Sequence, residues 1–182
     1  MMMNRNMQFG NRQKGFNLLE LVITLGLISL GIAGVVMLYT RGTDSSEMNN
    51  FSTDFIALLE GAKRTTGSWQ TYNGLNDQVL KANNAVPQRL TDGNPANGTI
   101  RHPWSGGADG ITFTAVNGDT QFTIAVSLLD DDKCNQIVNS MNPSTTNFDA
   151  LDINGNAYAN NGSAAAFCTA GAGANVITYT SS

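Results

Sequence analysis

One carboxylate stands at the mouth of a long uncharged stretch. Glu20 follows Lys14-Gly15-Phe16-Asn17-Leu18-Leu19, and Leu21–Thr40 then runs for 20 residues without a charge. A carboxylate inside a membrane-spanning helix costs roughly 2.5–3.5 kcal/mol on insertion scales. A buried charge is tolerable mainly when it is paired, so Glu20 calls for a cationic partner. If Gly15 marks a cleavage site, the cut removes a short leader carrying Arg5, Arg12 and Lys14 and no acid.

The other reactive side chains form no catalytic set. His102 is the single histidine, flanked by Arg101 and Pro103. Asp130-Asp131-Asp132 is a carboxylate triplet of the kind a hard cation binds, or a solvated helix cap. Asp152-Ile153-Asn154-Gly155-Asn156 resembles a calcium loop, but its glycine is misplaced and no glutamate follows at the needed spacing. Cys134 and Cys168 are the only cysteines. Two cysteines and one distant histidine do not make a four-ligand zinc site. In an oxidising compartment the pair is expected to form a disulfide. It closes a loop of about 35 residues, worth roughly 3–4 kcal/mol in the chain-entropy view.

These groups must be positioned by a few elements. Leu21–Thr40 is long enough to cross a bilayer, which takes about 20 apolar residues. A cleavable secretory signal has a shorter apolar core, with its small-residue site after that core. Here Gly15 precedes the stretch, so the apolar helix stays on the processed chain. The basic leader keeps its own end in the cytoplasm, and everything after Thr40 lies on the far side. Past Arg41-Gly42, apolar residues recur at Met48, Phe51, Phe55, Leu58, Leu59 and Ala62, one face of a helix. The spacing predicts a helix from about Phe16 to Thr66, roughly 75 Å at 1.5 Å per residue. Gly67 is its C-cap.

Beyond it, a short helix is expected around Asn76–Ala82. Strands are expected at Ile111–Val116 and Gln121–Leu129, joined by an Asn117-Gly118-Asp119 turn. Asp130 is expected to N-cap a helix through about Met141 that carries Cys134. After Asn142-Pro143 the chain reads as loop, until a last strand at Val176–Thr180. Trp69 and Trp104 are candidates for the core or for subunit contacts. Lys63-Arg64, Lys81, Arg89, Arg101 and Lys133 are scattered and read as solvated surface.

The leader holds three of the ten basic residues and none of the fourteen acidic ones. The remainder carries seven against fourteen, a net charge of −7. An acidic body without a basic patch speaks against general nucleic-acid binding.

Gly15-Phe16 followed by Glu20 and a long apolar helix resembles the prepilin signature of the type IV pilin family. The resemblance implies that a prepilin peptidase cuts after Gly15 and methylates Phe16. It implies that Glu20 meets the N-terminal amine of a neighbouring subunit in the fibre. It also implies that the Cys134–Cys168 disulfide encloses a surface segment. Thr71-Tyr72-Asn73-Gly74-Leu75, His102-Pro103-Trp104-Ser105-Gly106-Gly107, and Phe122–Ser127 running on to Cys134 resemble type IVb major pilins. Among these they are similar to the thin-pilus subunits of conjugative plasmids and to those of enteric pilus loci. Phe16 itself is the start typical of type IVa chains.

The expected fold is α+β, a long N-terminal helix on an antiparallel sheet with a C-terminal disulfide-bounded region. The expected domains are a leader over 1–15, an apolar membrane and fibre-core helix over 16–40, its amphipathic continuation over 41–67 and a head over 68–182. The implied function is that of a major pilus subunit, with a minor pilin or a secretion pseudopilin as the alternative. No enzymatic activity, cofactor or metal is implied. The implied partners are further copies of the chain in a helical filament, the peptidase, the inner membrane and the pilus assembly machinery. The implied location is the inner membrane with a periplasmic head, then an extracellular pilus.

Overall fold

The first element is a 49-residue helix, α1, Leu18–Thr66. Asn17 starts it by accepting the Leu19 N–H on its side-chain oxygen at 3.3 Å, as an N-cap residue does. The computed structural model describes residues 17–67, 71–92, 98–141, 148–159 and 163–182, with backbone alone at Thr40 and Arg41. The chain divides into two units at the Thr43/Asp44 junction.

In the first unit every large apolar side chain from Leu18 to Tyr39 is exposed. A helix that is apolar all round buries itself in a core or a membrane. Its Thr24 and Ser29 hydroxyls are satisfied within the helix. Thr24 Oγ1 donates to the Glu20 carbonyl at 2.6 Å and Ser29 Oγ to the Leu25 carbonyl at 2.8 Å. Within a bilayer that internal satisfaction is a requirement.

The second unit is built around a five-stranded antiparallel sheet. Its strands are β1 (Ile111–Val116), β2 (Gln121–Leu129), β3 (Ala150–Ile153), β4 (Asn156–Ala157) and β5 (Asn175–Ser181). Their spatial order is β1-β2-β5-β3-β4, so the last strand lies in the middle. Alternation puts one face of each long strand inside. Phe122, Ile124 and Val126 of β2 and Ile177 and Tyr179 of β5 are buried. Against them lie Met48, Phe51, Phe55, Leu58, Leu59 and Ala62 of α1, in one core cluster. This is the face the i, i+3, i+4 spacing predicts.

Local chemistry sets the connections. Asn117 takes φ +53° and Gly118 φ +66° in the β1–β2 turn, as an Asn-Gly hairpin requires. Between Val126 and Leu129 the β2–β5 register shifts, and Leu128 sits at φ +61°. This bulge lets Leu129 return to the buried face. The helices α2 (Asp77–Ala82) and α3 (Asp131–Ser140) have the expected caps. Asn76 Oδ1 accepts the Val79 N–H and Asp130 Oδ1 the Lys133 N–H. A Cβ on Gly61 would fall 2.5 Å from the Ala85 carbonyl oxygen, so a bare glycine lets the segment after α2 seat on α1.

Two readings need correction. The segment after Pro143, read as loop, contains β3 and β4. Asn154-Gly155 is their hairpin turn, with φ +53° and +77°. What resembles a calcium loop is therefore a β-turn signal. Of the scattered cations, Lys81 and Lys133 are buried. Lys81 Nζ lies 2.6 Å from Asp92 Oδ1 and donates to the Thr99 carbonyl. Carboxylate partners distant in sequence make that burial tolerable.

Candidate functional site

Glu20 lies in the first turn of α1 and is exposed. An acid there lies at the positive end of the helix dipole. Among the described residues no hydrogen bond or ion pair engages its carboxylate. Gly15 and Phe16, the expected processing residues, lie outside the described residues, as do Trp69 and Asn142-Pro143.

Cys134 and Cys168 are bonded, with their Cα atoms 5.8 Å apart. Cys134 sits in the first turn of α3, and Cys168 follows a short 3-10 turn over Ala164–Ala166. Both are buried, so the bond is part of the core. Beside it runs a chain of amides that no sequence pattern announces. Asn175 is fully buried, and its amide donates to Asp131 Oδ1 at 2.7 Å. Its Oδ1 accepts from the Ala170 N–H and from Asn154 Nδ2. Of the acidic triplet, Asp130 caps α3, Asp131 belongs to this network and Asp132 is exposed. No group of three or more potential metal ligands occurs among the described residues.

A second cluster surrounds the only histidine. His102 Nε2 donates to the Ser127 carbonyl at 2.7 Å, which leaves Nδ1 as the unprotonated nitrogen. The ring meets Phe51 edge-on at 6.1 Å, and Trp104 meets Phe51 at 5.2 Å. Lys133 Nζ lies 5.3 Å from the centre of the Trp104 ring and 3.4 Å from Asp44 Oδ1. A Cβ on Gly110 would come within 2.5 Å of the imidazole. Burial lowers the His102 pKa, and the Ser127 carbonyl opposes that shift. The buried Ser105 hydroxyl beside the imidazole donates to the His102 carbonyl and not to the ring.

Asp77, the first residue of α2, is a strongly perturbed carboxylate. Its Oδ1 accepts the Phe113 N–H at 2.8 Å and so caps the outer edge of β1. Burial pushes its pKa up to about 7; the Phe113 bond opposes this and the Asp109 charge adds to it. An unfolded chain titrates this group near 3.8. Between those values the folded chain carries a proton that the unfolded chain lacks. Stability from this group is complete below about pH 3.8 and is lost as pH rises through about 7. Asp77→Asn is therefore expected to stabilise the head by about 1–2 kcal/mol at pH 8, discounted for partial exposure. Denaturant midpoints between pH 4 and 8 check this, and an unchanged pH slope in the variant counts against it.

Residues 45–182 match the protein-family model described as PilS N terminal. The chain belongs to the type IV pilin family. This pilin is similar to the toxin coregulated pilin of Vibrio cholerae serotype O1, 30% identical over 140 residues. That match covers 71% of this chain and 58% of the relative, so the chain spans less than two thirds of it. Its fold is similar to TcpA, a type IV pilin from Vibrio cholerae El Tor biotype. The TM-score is 0.52 at 14% identity, over 75% of this chain and 99% of that one. A type IVb pilin from Salmonella typhi matches with a TM-score of 0.50 at 21% identity, over 74% and 97%. The pilin thus has the family's architecture of a long N-terminal helix, an antiparallel sheet and a C-terminal disulfide.

Proposed function

We propose that this pilin is the major structural subunit of a type IVb-like pilus and not an enzyme. The reading rests chiefly on one observation. The chain from Met48 onward closes one core, whereas the apolar residues of α1 from Leu18 to Tyr39 are all exposed. Such a surface needs lipid first and other helices later. In the proposed cycle the leader, residues 1–15, is removed after Gly15 and the new amine at Phe16 is methylated. Residues 16–40 anchor the subunit in the inner membrane, residues 41–67 continue that helix, and residues 68–182 form the periplasmic head. The assembly machinery then moves subunits into a homopolymeric filament, where Glu20 of one copy meets the Phe16 amine of another. Lipid is itself apolar, so helix packing and this pair supply much of the specificity of assembly. The extracellular fibre serves adhesion, aggregation or conjugative contact.

Mass spectrometry of sheared surface material tests the reading. The expected result is a dominant protein beginning with methylated Phe16. An intact leader, or a cut downstream of Thr40, overturns the processing scheme. Correct processing with only trace abundance assigns the chain to the minor pilins or pseudopilins instead.

A further inference from the structure

The segment carrying Cys168 is tied to the start of α3 by more than its sulfur. Asp131 lies three residues before Cys134 and Gly171 three residues after Cys168. The Gly171 N–H donates to Asp131 Oδ1 at 3.0 Å, so a hydrogen bond runs beside the disulfide. The Asn175 amide joins the same carboxylate oxygen at 2.7 Å and also reaches the Leu129 and Gly171 carbonyls, each at 3.3 Å. The Asn175 oxygen takes the Ala170 N–H at 3.1 Å. On the other side of Cys168, the Phe167 carbonyl accepts from Asn154 Nδ2 at 2.9 Å. Asn154 is fixed in turn by the Val176 N–H on its Oδ1 at 2.9 Å.

Cys168 is thus bracketed by bonds at 167, 170 and 171, and Cys134 is approached through 129 and 131. None of these bonds uses a sulfur. Asn175 is fully buried, so its amide must find these partners whenever β5 is seated. The bonds to the Asp131 carboxylate are the stronger, charge-assisted kind.

We propose that this Asn154–Asn175–Asp131 clasp forms without the disulfide and brings the two thiols together for oxidation. Asn175 and Asn154 are then positioning residues for bond formation. The step itself is thiol–disulfide exchange with an external disulfide donor. One cysteine thiolate attacks the donor and releases its first thiol, leaving a mixed disulfide. The second cysteine attacks the protein sulfur of that bond and releases the donor's other half as a thiol. The two cysteines lose two electrons and two protons, and the donor gains both. The clasp contributes by raising the effective concentration of the second thiol.

The test uses the full chain in detergent micelles, equilibrated with reduced and oxidised glutathione. Asn175→Ala is expected to lower the effective thiol concentration by about ten-fold or more, and Asn154→Gly by roughly three-fold. Glycine preserves the left-handed backbone at position 154, so this milder variant decides the matter if Asn175→Ala does not fold. A second readout is amide exchange in a Cys134→Ser, Cys168→Ser chain. Protected Ala170 and Gly171 amides there support a clasp that precedes the disulfide. Exchange of both at unprotected rates overturns it, as does a glutathione equilibrium that Asn154→Gly leaves unchanged.

Discussion

A chain carrying Glu20→Ala is expected to reach the membrane in normal amounts and to yield no surface fibres. Two opposed effects lead there. Removing the carboxylate relieves the roughly 2.5–3.5 kcal/mol insertion cost, and alanine favours the helix. Membrane anchoring therefore does not suffer. The head does not depend on position 20 either, because its core cluster begins at Met48. What is lost belongs to the assembled state. A helix bundle that excludes water strengthens the attraction between a carboxylate and an amine. It also leaves that amine uncompensated once the carboxylate is gone, and an orphaned buried charge costs about 3–5 kcal/mol. Repeated at every subunit, that penalty stops polymerisation. Glu20→Gln keeps the shape without the charge and is expected to fail as well. Membrane fractionation with shearing of whole cells measures both halves, and normal piliation in either variant rules out the proposed pair.

Much of the fold is legible in the sequence because the relevant signals are local. The apolar face of α1, the β1–β2 hairpin and the caps of α2 and α3 depend on residues a few positions apart. Glu20 stood out for a related reason, as one charge against an uncharged stretch. The rest depends on residues that meet only in space. β3 and β4 are four and two residues long, set among Asn, Ala and Gly, so neither shows a usable period. Their Asn154-Gly155 turn was visible, but as a fragment of another motif. Asn175 carries no signal at all, since its partners lie at 129, 131, 154, 170 and 171. Lys81 and Lys133 read as solvated because nothing in their neighbourhoods points to Asp92 or Asp44. The disulfide needed only a count of two cysteines and a compartment, whereas the amides that flank it needed the fold.

Phe55→Ala is expected to cost the head about 3–5 kcal/mol, the range for truncating a buried aromatic. Phe55 is fully buried on the sheet-facing side of α1. Its ring lies 5.7 Å from Phe51, 5.9 Å from Phe148 and 5.2 Å from Tyr179. Phe148 and Tyr179 are themselves 4.5 Å apart, so one ring of the helix closes a cluster begun by the sheet. The Tyr179 hydroxyl is buried beside it with no partner among the described residues, and burial raises its pKa. Removing the Phe55 ring opens space there that a water molecule can enter, which moves the cost toward the lower end of the range. Tyr179→Phe separates the two effects. It removes an unsatisfied hydroxyl and is expected to be neutral or slightly stabilising. Ile56→Ala, one position along but 42% exposed, is expected to cost well under half as much. Denaturant unfolding of the oxidised chain measures all three. A Phe55→Ala cost no larger than that of Ile56→Ala would mean that the helix is held to the sheet elsewhere. With natural domains stable by about 5–15 kcal/mol, the expected loss is a large share of the total. A subunit weakened that far loses its head to unfolding and proteolysis even with its anchor and Glu20 intact. Phe55→Ala should therefore reduce fibres by lowering subunit abundance, whereas Glu20→Ala removes them with abundance unchanged.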